Sequence, residues 1–301
     1  DDVVKSIDEV RRSLREFNRL EFPQSTQKLK VESMDELGDL KRQFNALQEK
    51  AERYYEELAQ EMELAHRVQT SLLPASLIRQ GNVSVEGISN GAADLGGDFF
   101  DVALVGHEEI IVFIGDVSGK GIPASLVTAT VLGLFRAEIQ YGGTPSHLLN
   151  RLNRSMNRLL MSDMYVTAGI LWIDTNQGSF RYAGAGHLPP LLVRAGEISE
   201  WETASLPLGY GQEAFTEIRG VFTPGDALVL YTDGVIEART ETGEIVGFER
   251  LKGWIIETLH QSNDVLKGIY MKLENHRSGQ NRQDDETLVV LRYGCDKPDK
   301  P

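Results

Sequence analysis

Four short segments set aspartate beside glycine or a second acid: Gly96-Gly97-Asp98-Phe99-Phe100-Asp101, Gly115-Asp116-Val117-Ser118-Gly119-Lys120-Gly121, Tyr231-Thr232-Asp233-Gly234 and Asp284-Asp285-Glu286-Thr287. Three of them stand at the mouth of an apolar, β-branched run. Asp116 ends Ile110-Ile111-Val112-Phe113-Ile114, Asp233 ends Ala227-Leu228-Val229-Leu230-Tyr231, and Asp284 opens Thr287-Leu288-Val289-Val290-Leu291. Runs of this kind predict strands. If those strand ends converge, three carboxylates come close together, which is costly unless a cation neutralises them. Oxygen donors without a thiolate or a histidine pair suit hard Mg²⁺ or Mn²⁺. Taken singly, Asp beside Gly is ordinary turn chemistry; the four together favour ligation.

The elements that must carry these residues follow from the texture after Pro74. The runs 110–114, 167–173, 227–231 and 287–292 predict strands, and they alternate with helical stretches at 122–140, 145–161 and 248–275. Ala168–Ile173 and Ser179–Ala183 flank Asp174-Thr175-Asn176-Gln177-Gly178, a hairpin-like loop, so part of the sheet structure is antiparallel. The N-terminal part is different. Val3, Ile7, Val10, Leu14 and Phe17 repeat at spacings of a helical seam, and a second seam runs through Leu37, Leu40, Phe44, Leu47, Ala51, Tyr54, Leu58, Met62 and Ala65. Ser33 with Glu36 reads as a capping box opening the second helix. Its Tyr54-to-Leu58-to-Met62 step is a stutter that locally unwinds a supercoil.

Composition narrows the class. Asp plus Glu outnumber Lys plus Arg by 45 to 31, a net charge of −14, which opposes nucleic acid or an anionic membrane surface as the main partner. The single cysteine, Cys295, excludes an internal disulfide and a thiolate cluster, and it lacks the arginine loop of a cysteine phosphatase. Apolar runs fall short of the roughly 18 residues that a membrane span needs.

Residues 3–58, two seamed helices with Leu29 and Val31 in the connector and Asp35-Glu36-Leu37-Gly38 at the second opening, resemble a HAMP signalling module. They depart from it at Glu21-Phe22-Pro23, where that family commonly has glycine. The four Asp motifs resemble the SpoIIE-like branch of the PPM metal-dependent phosphatases, over about residues 61–294. Ala65, Gln69 and Leu72-Leu73-Pro74, Ala185-Gly186-His187-Leu188-Pro189-Pro190 and Leu206-Pro207-Leu208-Gly209 extend the match. The resemblance implies an α+β fold, an αββα sandwich of two mainly antiparallel sheets, preceded by an all-α stalk. It implies two Mn²⁺ or Mg²⁺ ions bridged by Asp116, with Asp233 and Asp284 on one and Asp98 and the Val117 carbonyl on the other. Water activated there would attack phosphorus in line, without a protein nucleophile. Asp285 is an alternative ligand and Asp101 a neighbour of the ligands; Lys120 is a phosphate contact or a turn residue. His187 is a proton donor to the leaving group or, as preferred here, a structural hydrogen-bonding residue.

The expected layout is a HAMP-like dimerisation module at 1–58, a helical linker at 59–74, the phosphatase domain at 75–295 and a polar tail at 296–301. The expected activity is hydrolysis of phosphoserine or phosphothreonine on a STAS-type anti-sigma-factor antagonist, by a homodimer regulated through its stalk. A sequence that opens without Met on a HAMP-like helix leads us to expect a longer parent in the bacterial cytoplasmic membrane, this part facing the cytoplasm. The rival readings are a HAMP-linked nucleotide cyclase, suggested by Gly96-Gly97-Asp98-Phe99-Phe100, and a non-catalytic phosphoprotein-binding domain. The P-loop spacing around Gly119-Lys120 does not fit.

Overall fold

The computed structural model describes residues 2–17, 27–31, 33–92, 95–211, 214–262 and 264–294. The chain forms two compact units, Asp1–Arg67 and Val68–Pro301, divided inside the expected linker. The expected connector start at 21–23, Cys295 and the tail lie outside the described residues.

The first unit holds helix α1 (Asp2–Phe17) and most of α2 (Glu36–Leu72). α2 begins one residue after Asp35, whose carboxylate accepts the Gly38 N–H at 2.9 Å. The cap is therefore Asp35 and not the expected Ser33, which hydrogen-bonds the Asp35 carboxylate instead. α2 buries Gly38, Lys41, Phe44 and Gln48, with Lys41 Nζ 2.7 Å from Glu9 Oε2 of α1. Asn45 clasps the Leu29 backbone, accepting its N–H at 3.0 Å and donating to its carbonyl at 2.9 Å. Four of the nine residues of the predicted second seam, Leu40, Leu47, Tyr54 and Leu58, are 47, 60, 64 and 40% exposed, while Phe44 is buried. Ile7 and Leu14 of the first seam are exposed too, while Val10 is buried.

The second unit is a four-layer sandwich. One sheet is ordered β1 (Leu77–Gln80), β2 (Val83–Asn90), β11 (Glu286–Tyr293), β10 (Ala227–Tyr231), β7 (Leu191–Arg194), β8 (Glu197–Glu200). The other is ordered β3 (Phe99–Val105), β4 (Glu109–Val117), β5 (Val166–Asp174), β6 (Ser179–Ala185), β9 (Ile218–Val221). Neighbouring strands in both sheets pair antiparallel. The central strands are buried on both faces, which is why they read as continuous apolar runs. Along β4, Ile110, Val112 and Ile114 enter the core between the sheets. Ile111 and Phe113 point the other way, onto α3 (Ile122–Glu138) and α4 (Pro145–Leu159). Along β10, Leu228 and Leu230 face the inter-sheet core, while Ala227, Val229 and Tyr231 meet the outer cluster. The helices on that side are α5 (Asp233–Glu237), α6 (Gly247–Gln261) and α7 (Val265–Arg277).

Two further expectations need correction. The predicted helix 248–275 is two helices, because Asp264 starts a new one by accepting the Lys267 N–H at 3.0 Å. The segment Ile122–Tyr141, with mean hydropathy 1.4, is long and apolar enough to cross a bilayer, contrary to the sequence reading. In the fold its Ala124, Val131, Leu132 and Phe135 are buried against the second sheet, while Ile122, Leu126 and Tyr141 are exposed.

Candidate active site

β3 and β4 bring the first two acids together. Their register pairs Phe99 with Gly115, and one further step sets Asp98 opposite Asp116, with the Val117 N–H reaching the Gly97 carbonyl at 3.3 Å. Asp98 is 6% exposed. Burial and then the Asp116 charge push its carboxyl well above the usual carboxylate range. Asp116 is pushed up to about 7 by burial, then by Asp233, Asp284 and Asp285, while its contact with the Asp98 carboxyl acts in the opposite sense. Two carboxyls in hydrogen-bond contact must share a proton or a cation. Gly97 makes this approach possible: a Cβ there would lie 2.7 Å from the Val117 carbonyl and 3.4 Å from Asp116 Oδ1.

The other sheet delivers the second pair. β10 ends at Tyr231, opposite Leu288 of β11, and Asp233 follows as the first residue of α5. Gly234 lets the chain pass the 284–285 segment, since a Cβ would fall 1.9 Å from the Asp285 carbonyl and 3.4 Å from Asp284 Cβ. Burial and then Asp284 raise the Asp233 carboxyl as well. A cleft of 170 Å³ lined by Gly234, Glu237, Arg239, Arg277, Gln283 and Asp284 borders this side.

Thr232, to which sequence reasoning assigned no role, links the two sheets. Its buried hydroxyl donates to Asp98 Oδ2 at 2.5 Å and accepts the Thr287 N–H at 2.9 Å. Both hydrogen-bonding functions of one hydroxyl are used, so Asp98 is held as an acceptor. The only sequence signal was a hydroxyl residue between a strand and an acid.

The adjacent acids divide their work. Asp285 accepts the backbone N–H of Ala92 at 2.8 Å and of Gly97 at 2.6 Å. It fastens the loop that carries Asp98. Asp284 instead lies 3.0 Å from Lys120 Nζ. Asp101 is 3% exposed and faces away, toward α3, where Arg136 Nε donates to it at 2.7 Å. The same guanidinium also hydrogen-bonds the Leu72 carbonyl at the end of α2. Gln69, in that last turn, grips Gly96 by donating to its carbonyl at 2.6 Å and accepting its N–H at 3.3 Å.

His187 is buried, and burial pushes its ring down to about 4. Nδ1 meets the Thr167 hydroxyl at 3.0 Å, and Nε2 lies toward the Tyr231 backbone without a bond of normal geometry. A ring neutral at physiological pH and sealed in the core is a poor proton donor. An unfolded His187 takes its proton near 6.5 and the folded one near 4. Its contribution to stability is therefore present above pH 6.5 and lost as pH falls toward 4. His187→Gln is expected to leave the pH–rate profile unchanged in shape and to flatten the acid limb of a melting-temperature series; a lost limb in the rate profile would contradict this.

Four carboxylates and the Val117 carbonyl would offer all-oxygen donors, the chemistry that hard divalent ions take. Among the described residues no three acid, histidine or cysteine side chains already converge to ligating distance.

The profile of the family "Stage II sporulation protein E (SpoIIE)" matches residues 106–294. The phosphoserine phosphatase RsbU of Bacillus subtilis is 30% identical over 243 residues, covering 79% of this chain and 71% of that protein. The SiaA-PP2C domain of Pseudomonas aeruginosa superposes with a TM-score of 0.71 at 20% identity, over 80% of this chain and 98% of that one. The RsbU and RsbW domains of Rv1364c from Mycobacterium tuberculosis match at TM-score 0.64 and 27% identity, over 74% and 63% of the two chains. Fold and family leave the cyclase reading without support. This chain belongs to the SpoIIE family, with the PP2C fold and the activity class of a protein serine/threonine phosphatase.

Proposed function

We propose that the ring is a two-ion site for Mn²⁺ or Mg²⁺, and that the chain dephosphorylates serine or threonine on a small STAS-type protein. The observation that supports it is that the two sheets bring Asp98 and Asp116 near Asp233 and Asp284, with three of these carboxyls raised by burial and then by the charges of their neighbours. Asp116 would bridge the ions, Asp233 and Asp284 would complete one, and Asp98 with the Val117 carbonyl the other. When bound, such ions supply Lewis acidity and a nucleophile from water. The chain's own part is orientation: Thr232 aims Asp98, Asp285 fixes the loop behind it, and Gly97 keeps the Val117 carbonyl accessible. A relative that is a phosphoserine phosphatase, and a solved chain with both RsbU and RsbW domains, support a phosphoprotein of a partner-switching circuit as substrate. The test is phosphate release, with Mn²⁺, from a phosphorylated STAS-type protein and from a short phosphoserine peptide. A higher kcat/KM on the whole protein is expected. A chain that binds both metal and phosphoprotein yet releases no phosphate would leave only the binding-domain reading.

The stalk reading is that a second copy covers the exposed Leu40, Leu47, Tyr54 and Leu58, giving a parallel dimer of HAMP type. The grip of Gln69 on Gly96, two residues before Asp98, supports transmission of helix motion to the ring. Gln69→Ala is expected to change Mn²⁺ affinity and the phosphatase rate by about three- to tenfold, with little effect on melting temperature. Unaltered affinity and rate would count against this route, and a monomer at micromolar concentration in sedimentation would count against the dimer.

A further inference from the structure

A phosphomonoester arriving at a ring of carboxylates is itself a dianion, so a protein cation beside the ring has work to do. Lys120 stands there. It sits between Gly119 (φ 97°) and Gly121 (φ 73°), in the loop from Asp116 to the start of α3. A Cβ on either glycine would meet nothing within 4 Å, so both are required for left-handed backbone rather than for space. The loop is anchored at Ser118, whose N–H donates to the Tyr165 carbonyl at 3.0 Å and whose Oγ accepts the Tyr165 N–H at 2.8 Å.

From this turn the ammonium reaches Asp284 Oδ1 at 3.0 Å and the Gln283 carbonyl at 2.9 Å. Its charge is also felt by Asp233. The pair is open, with the lysine side chain 58% and the aspartate 40% exposed. Ion pairs this exposed are screened by water and contribute little, so Lys120 loses little on leaving Asp284. Two partners occupy two of its three donors. A lysine whose purpose was to tie two loops together would be better served by burial, as Lys41 is in the first unit at 8% exposure.

We propose that Lys120 is the phosphate anchor of this site and the counter-ion of Asp284 until a metal takes that carboxylate, after which its ammonium turns to the substrate's phosphoryl oxygens. The inference rests on the metal-site reading of Asp284 given above. It predicts opposite effects on metal and on phosphate from one substitution, which a structural tie would not produce.

The test uses the full chain as Lys120→Met and Lys120→Arg, with Mn²⁺ alone and inorganic phosphate as probes. Lys120→Met should bind Mn²⁺ as tightly as the unaltered chain or tighter. Inhibition by inorganic phosphate and kcat/KM on a phosphoserine peptide should each weaken about 10- to 100-fold, with Lys120→Arg recovering most of both. Unchanged phosphate inhibition in Lys120→Met would overturn the proposal. So would weakened Mn²⁺ affinity, because Lys120 would then be holding the Asp284 segment in place. If the unaltered chain binds no Mn²⁺, the metal reading falls and this proposal with it; the variant results, taken on a chain that does bind Mn²⁺, bear on Lys120 alone.

Discussion

Asp116→Asn is expected to reduce phosphate release at least about a thousandfold while making the metal-depleted protein more resistant to heat. Both effects have one cause. Asp116 lies at the end of β4 among Asp98, Asp233, Asp284 and Asp285, and its carboxyl is pushed from 3.8 up to about 7. A carboxyl whose folded value lies above its unfolded value favours folding below the unfolded value and loses that contribution as pH rises through the folded one. Above pH 7 the charged Asp116 therefore works against the fold, and an uncharged amide relieves it. Added Mn²⁺ should reverse the order, raising the melting temperature of the unaltered chain by binding and leaving the variant where it was. The pair of melting curves separates a functional acid from a structural one, because losing a structural acid lowers stability under both conditions.

Asp285→Ala should do the reverse of Asp116→Asn. Its oxygens serve Ala92 and Gly97, and removing them strands two backbone donors at a cost of about 2–4 kcal/mol. In a unit of this size that is a fall in melting temperature of roughly 4–16 °C. Metal affinity should drop as well, through the loosened loop that carries Asp98. Asp284→Asn, one residue away, should weaken Mn²⁺ binding without the thermal loss. Similar melting curves for the two variants would show that the neighbouring acids share one role, contrary to their hydrogen bonds.

Much of this was legible before the fold was seen. The strands that carry Asp116, Asp233 and Asp284 are buried on both faces and so announce themselves as apolar runs, and the acids at their mouths follow at once. The division between Asp284 and Asp285 was not legible, because it depends on which carboxylate turns toward the 92–98 loop, and adjacent residues have the same composition around them. Thr232 was hidden for a similar reason: its function is to reach across from one sheet to the other, and no spacing within one segment records a contact with Asp98, 134 residues away. Asp101, expected as a neighbour of the ligands, has its partner outside its own segment. It lies within β3, three residues past Asp98, and pairs with Arg136 on α3 rather than with the ring. The short strands β1, β7, β8 and β9, each of four residues, also escaped, since four residues offer too few alternations to separate from loop. The exposed residues of the α2 seam are a different matter, because on the dimer proposed above their partner would be a second copy of the chain.

The central claim, that the Asp ring is a divalent-metal phosphatase centre, is tested most directly by chelation and reconstitution on the unaltered chain. Phosphate release from a phosphoserine protein should vanish on stripping with a chelator and return as Mn²⁺ is added back, saturating at two ions per chain. Release that persists through chelation, or that is absent with two Mn²⁺ ions bound, would contradict it.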